Sequence, residues 1–258
     1  MREAGTCILY VRNLVFIWLF LGALLQAAPV ESYAFLTRLN RLEQNLISFS
    51  RYYLLREAFP HQRIYTLRLH NSYETYERGM RQSANTFTDE HTRQILTHLM
   101  DAKNIMENAL SDKRVSKNIS NLMVMGRKLE KEIQEVSEVK MLALEPKQQI
   151  LYALTQMQVL LEKIAQNYVF DCYHAKGKRD HKKEIQVYSA SFERLMRLGD
   201  GYTYWSTKEH TRGKRILTTW KVLKKNLNFP NRPLLIGLGV AHMQSLLAAV
   251  QVQYEEQQ

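Results

Sequence analysis

The chain carries one series of residues twice, in the same order. Tyr76-Glu77-Arg78-Gly79-Met80-Arg81 is matched by Phe192-Glu193-Arg194-Leu195-Met196-Arg197. Each is followed by a polar break and then by Glu-His-Thr-Arg, at 90–93 and at 209–212, and Ile-Leu-Thr follows at 95–97 and 216–218. Upstream, Leu39, Leu42, Leu46, Phe49 and Tyr53 match Leu154, Met157, Leu161, Ile164 and Tyr168 at a constant spacing of 115 residues. The spacing becomes 116, 119 and 121 at the later blocks, changing only where loops are expected. Chance similarity among amphipathic helices explains the apolar stripes, but not the ordered polar blocks. A repeat constrains a fold strongly, because each copy is one structural unit that must pack as its twin does.

Within each copy the apolar residues step by three and four, the period of an amphipathic helix. The spacing predicts helices over about 32–58, 62–83, 88–111, 118–144, 147–175, 184–198, 206–227 and 234–254. Pro60 and Pro146 punctuate the series, since proline cannot continue the hydrogen-bond ladder. Thr88 is an expected N-cap, and Ser206-Thr-Lys-Glu209 reads as a capping box. Gly199-Asp200-Gly201 is an expected stop, and 176–183, Lys-Gly-Lys-Arg-Asp-His-Lys-Lys, an expected basic turn. Few Gly and Pro (10 and 5) point the same way, to an all-α fold. The expectation is two tandem antiparallel four-helix units, about eight helices, over 28–145 and 146–258, forming either one extended bundle or two bodies that flex at Pro146.

Residues 1–27 read as a secretory signal. Arg2 and Arg12 precede the apolar run Leu14–Leu25, and Gln26-Ala27-Ala28 offers small residues for cleavage. That run is shorter than the roughly 20 apolar residues of a membrane span. A periplasmic or secreted location follows, with no integral span after cleavage. The last segment is apolar, but His242, Gln244 and Ser245 interrupt it, so it reads as a packed helix. Loss of residues 1–27 removes Cys7 and leaves Cys172, which cannot form an intrachain disulfide alone.

No catalytic constellation is present: there is neither a Gly-x-Ser-x-Gly elbow nor a Cys/His signature. His91 and His98 are two helical turns apart, about 10.5 Å, too far to share one metal ion without other ligands. No catalytic residue, metal or cofactor is therefore expected. The net charge of +11 favours acidic partners, although it also serves solubility. Arg51-Tyr52-Tyr53 with Arg56, and Lys176, Lys178, Arg179, Lys182 and Lys183, interleave basic and aromatic groups. Tyrosines at helical spacing are more often core than stacking platforms, so nucleic acid is disfavoured. His91, Arg93, His210 and Arg212 of the two Glu-His-Thr-Arg blocks could meet an anion at a bundle end; first-turn polarity explains them equally well.

Ile164-Ala165 with Tyr168, Phe192-Glu193 with Leu195, and Ile216, Trp220, Leu223 and Leu227 together resemble the PilJ-like sensory domain. This is the extracytoplasmic N-terminal domain of type IV pilus methyl-accepting chemotaxis transducers, with relatives among nitrate/nitrite sensor kinases. The resemblance covers about 147–227 and, more diverged, 36–110. It implies a non-catalytic ligand-sensing bundle that reports to a separate partner. Where that family carries an Arg-Met-Leu-Ser-Gln-Arg type motif, this chain keeps one basic group, Lys163; the first copy has none until Arg51. The resemblance therefore singles out Lys163 and Arg51 as ligand-binding candidates. The expected partner is a small anionic ligand or an envelope protein, and a homodimer is compatible with either. The alternative to a sensor is an envelope adaptor that binds a protein or an anionic polymer through basic faces.

Overall fold

The computed structural model describes residues 4–83, 86–87, 90–111, 114–173, 181–200, 207–229 and 232–256. Side chains are described from residue 31 onward, except at 90–91, 115–116, 198–200 and 207–210. Every element among the described residues is a helix: α1 (Ala4–Ala58), α2 (Arg63–Ser83), α3 (Glu90–Ser111), α4 (Val115–Met141), α5 (Pro146–Tyr173), α6 (His181–Asp200), α7 (Thr207–Leu227) and α8 (Pro233–Glu255).

The first four and last four helices pair alike. In one unit α1 packs on α2 and α4, and α3 on α4; in the other α5 packs on α6 and α8, and α7 on α8. Neighbours run antiparallel: Tyr73 meets Glu107 while Lys103 meets Glu77, and Lys140 covers Phe35 while Asn118 bonds Tyr53. The repeat-related positions of α1 and α5 are buried throughout, Leu39, Leu42, Leu46, Phe49 and Tyr53 in one core and Leu154, Met157, Leu161, Ile164 and Tyr168 in the other. Tyr76 and Phe192 are both fully buried, as are Ile95 and its counterpart Ile216.

The two units meet along α1 and α5. Contacts advance in step, from Tyr33 beside Ile150 and Leu151, through Glu43–Lys163, to Phe59 against Tyr173, so these helices are parallel. A pseudo-two-fold axis running along the helices produces this arrangement, as in a symmetric dimer fused into one chain. Tyr152, Val169 and Phe170 of α5 join the core of the first unit, so α5 is covered on more than one side.

One symmetric detail fixes the fourth helix of each unit. Tyr53 accepts a hydrogen bond from Asn118 Nδ2 (3.2 Å) in the first turns of α4. Its repeat partner Tyr168 donates to Phe229 O (2.6 Å) and accepts from Arg232 N (2.9 Å) where α8 begins.

Several boundaries differ from the sequence expectation. α1 begins at Ala4 rather than near Ser32, so the apolar run continues into the first bundle helix without a break. α6 begins at His181, which places exposed Lys182 and Lys183 in its first turn rather than in a basic turn. His181 is held by Asn167 Oδ1 (2.9 Å) and stacks on Phe170, which accounts for the earlier start. Gly199 and Asp200 belong to α6 instead of stopping it. Thr88, Ser206 and 174–180 lie outside the described residues. One described helix, Pro233–Glu255, is long and apolar enough to cross a membrane, with 33% of its apolar window buried. Here it packs on α5 and α7 through Ile236, Val240, Met243, Leu247 and Val250. Pro233 opens it, where proline's missing N–H costs nothing.

Candidate functional site at the seam between the units

The seam is not dry. α5 carries Glu162 and Lys163 side by side, and α1 carries Glu43 and Arg51; all four are at most 8% exposed. They form two crossed ion pairs, Lys163 Nζ–Glu43 Oε1 at 2.6 Å and Arg51 Nη2–Glu162 Oε2 at 3.0 Å. Adjacent residues on a helix point about 100° apart, so Glu162 and Lys163 serve opposite sides of the seam. Each pair is then completed by the helices flanking its own side.

On the α4–α6 side, Lys163 also meets Glu130 Oε1 at 2.9 Å and lies 5.6 Å from the centre of the Tyr188 ring. Tyr188 donates its hydroxyl proton toward Glu130 (3.3 Å). Burial opposes the Lys163 charge, yet Glu43 and Glu130 outweigh it and hold the ammonium above the ordinary lysine range. Burial pushes the Glu43 carboxyl up despite the pull of Lys163. The Tyr188 hydroxyl is pushed up by burial and by Glu130. A groove of about 420 Å³ runs beside this cluster, lined by Asn40, Ser137, Tyr152 and Arg194 among others. Lys163 therefore already has two carboxylates of its own.

The α2–α8 side is built differently. Gln244 Nε2 of α8 donates to Glu162 Oε1 (2.8 Å), occupying the place that Glu130 takes on the other side. Arg51 Nη2 donates to the Tyr52 hydroxyl (2.9 Å), and Arg68 Nη1 of α2 reaches the same oxygen at 3.4 Å. Both guanidinium groups lie over the Tyr52 ring, 4.5 and 5.8 Å from its centre. Among the described residues, Arg51 Nε and Nη1 have no hydrogen-bond partner, although the side chain is only 4% exposed. Two cations are thus gathered on one tyrosine, with Glu162 paired to Arg51, beside a pocket of about 100 Å³. Its walls come from α1, α2, α5 and α8, with Leu55, Ile64, Val169, Ile236 and Leu238 among them.

The four sequence candidates with described side chains do not gather at one place. Arg51 and Lys163 both lie at the seam, on opposite sides of it. Arg93 is exposed on α3, and Arg212 clamps α7 to α8 by donating to Ala249 O (2.8 Å) and Gln253 Oε1; neither lines the pockets beside the seam. The side chains of His91 and His210 lie outside the described residues. His98 bonds Glu132 of α4 through Nδ1 (2.7 Å).

Glu43, Glu130, Glu162, Tyr188 and Gln244 were not singled out from the sequence. The signal that could have found Glu162 is the composition of α5. It is apolar on several faces, Ile150, Leu151, Tyr152, Leu154 and Val159 all being buried. A helix covered all round must bury its charges as well and supply partners for them. No protein-family model, curated protein or solved structure matches the chain.

Proposed function

We propose that the chain is an extracytoplasmic, non-catalytic helical binding module of the sensory kind, which takes a small ligand at the seam between its two units. One observation carries this reading: Arg51 is buried at the unit junction with two nitrogens that no described group accepts from. A buried donor left unbonded costs about 1–3 kcal/mol, and more when charged. A buried ion pair adds little net stability over an apolar replacement. A charge kept there under those terms is explained by recognition. The seam is also where a ligand could alter the whole molecule, since α1 and α5 each anchor one unit. The resemblance to PilJ-like sensory domains supports the sensory part of the proposal. The Arg2–Arg12, Leu14–Leu25 and Gln26-Ala27-Ala28 pattern supports the extracytoplasmic part.

A panel of small anions and metabolites in a thermal-shift assay tests the binding, because a ligand of the native state raises the midpoint. A reporter active only outside the cytoplasm, fused after Gln258, tests the location. An unmoved midpoint across the panel, or a silent fusion, removes the corresponding part of the proposal.

The adaptor alternative has its own support. Leu234, Leu235 and Leu238 on α8, with Ile64 and Leu67 on α2, are 45–58% exposed. Under that reading a pull-down from envelope extracts recovers a protein whose capture is lost on Leu235→Glu, and ligands leave the midpoint unmoved.

A further inference from the structure

We infer that the pocket between α1, α2, α5 and α8 takes a small carboxylate with a short apolar body, its head group bound at Arg51. This inference rests on reading the chain as a ligand-binding module, and it specifies the place and the chemistry.

Charge comes first. Arg51 and Arg68 are gathered on Tyr52, and among the described residues the one carboxylate in the cluster is Glu162, paired with Arg51, so the site carries a net positive charge. Arg51 lines the pocket, and a turn of its guanidinium would bring to it Nε and Nη1, unpaired among the described residues and closed to water, where a charge-assisted bond is strongest. The first turn of α8, through Pro233, Leu234, Ile236 and Gly237, forms part of the wall, and the positive end of that helix dipole adds to the attraction. The opposite groove lacks this character, because Lys163 there is neutralised by Glu43 and Glu130.

The walls then select among anions. The side-chain donors of the lining belong to Arg51, Arg68, Tyr52 and Tyr65, while Leu55, Ile64, Val169, Ile236 and Leu238 offer none. Phosphate or nitrate would place oxygens against them without hydrogen bonds, an expensive desolvation. A carboxylate confines its oxygens to one end and lays its carbon body on the apolar wall. A cavity of about 150 Å³ holds benzene, so about 100 Å³ encloses roughly three or four carbons. A longer body would emerge between Ile64, Leu234 and Leu238, which are 45–58% exposed. Short-chain monocarboxylates meet these limits, and the ring of an aromatic one would extend partly out of the pocket.

The test is titration of the full chain with benzoate and butyrate, beside benzamide, butyramide, nitrate and phosphate, read by calorimetry and thermal shift. Truncating Arg51 would strand Glu162, so the site is blocked from another side. A Cβ on Gly237 meets nothing within 4 Å, and Gly237→Leu fills the pocket from a position where leucine also favours the helix. The expected result is saturable binding of the carboxylates and none of the amides. Gly237→Leu weakens binding about 10-fold or more without lowering the melting midpoint, and Arg68→Gln weakens it about 3- to 10-fold. Carboxylates that bind no better than their amides, or equally well to Gly237→Leu, overturn the inference. If another compound raises the midpoint of both proteins while the carboxylates do not, the carboxylate site falls and the binding module stands. If no compound moves either midpoint, both fall.

Discussion

Replacing Lys163 by Met would remove the ammonium that lies 2.6 Å from Glu43 and 2.9 Å from Glu130 while keeping most of the packing volume. Glu43 is 4% exposed and would be left as a buried carboxylate without a counter-charge. Breaking a buried pair in this way costs about 3–5 kcal/mol. At about 2–4 °C per kcal/mol for a chain of this size, the midpoint should fall by roughly 6–20 °C. Adding Glu43→Leu should restore most of the loss, because an apolar pair of similar volume is often as stable as the ions it replaces. The sign of the pH dependence is fixed too. Burial already raises Glu43, and without Lys163 it must rise further, so the folded state favours the protonated acid. The deficit should therefore be greatest at neutral and alkaline pH and shrink as pH falls through the raised Glu43 pKa. Urea titrations of wild type, both single variants and the double variant across pH 4–8 (roughly the range over which a raised carboxyl titrates) measure this directly. A cost below about 1 kcal/mol for Lys163→Met, or a deficit that does not change with pH, would refute the reasoning that the seam is closed and charged.

Three further outcomes follow from the same structure. Tyr168→Phe should cost about 1–3 kcal/mol, by loss of its bonds to Phe229 O and Arg232 N, and should speed amide exchange at 232–238; Tyr53→Phe, which loses one bond, should cost about half as much. Gly237→Ala should be neutral or stabilising by up to about 1 kcal/mol. Gly239→Ala should instead destabilise, because its Cβ would stand 2.8 Å from Cδ1 of buried Leu223; denaturant midpoints of the two variants distinguish them. Burial raises Tyr76, Tyr152 and Tyr188, and Tyr168 is pushed up to about 12. Their contribution to stability is fully present below pH 10 and is lost as pH rises through the folded pKa values, so melting points taken from pH 8 to 12 should fall only in the upper half of that range.

The fold was legible because helix formation and core burial both follow apolar spacing. Leu39 through Tyr53 and Leu154 through Tyr168 reported the same face of the same helix twice, and every one of them is buried. The repeat also held the key to the seam, since helices related by a two-fold axis along their length must lie parallel, as α1 and α5 do. What spacing could not reveal is which side chains of different helices meet. Glu162 and Lys163 look like an ordinary charged step in sequence, and only the parallel docking of α1 sends them to Arg51 and Glu43 on opposite sides. The same holds for Arg212 of the repeated Glu-His-Thr-Arg block, which antiparallel packing of α7 on α8 brings to the carbonyl of Ala249. The loop ends were the least legible part, as at His181, the first described residue of α6, whose bond to Asn167 no local pattern announces.

Hydrogen exchange along the full chain, with and without saturating benzoate, tests most directly whether a ligand sits at the seam. Binding at Arg51 should slow exchange together in α1 around 51–55, α2 around 64–68 and α8 around 234–241, the three segments that enclose the pocket beside α5. Unchanged exchange there, or slowing confined to α3 and α7, would contradict a ligand site between the units.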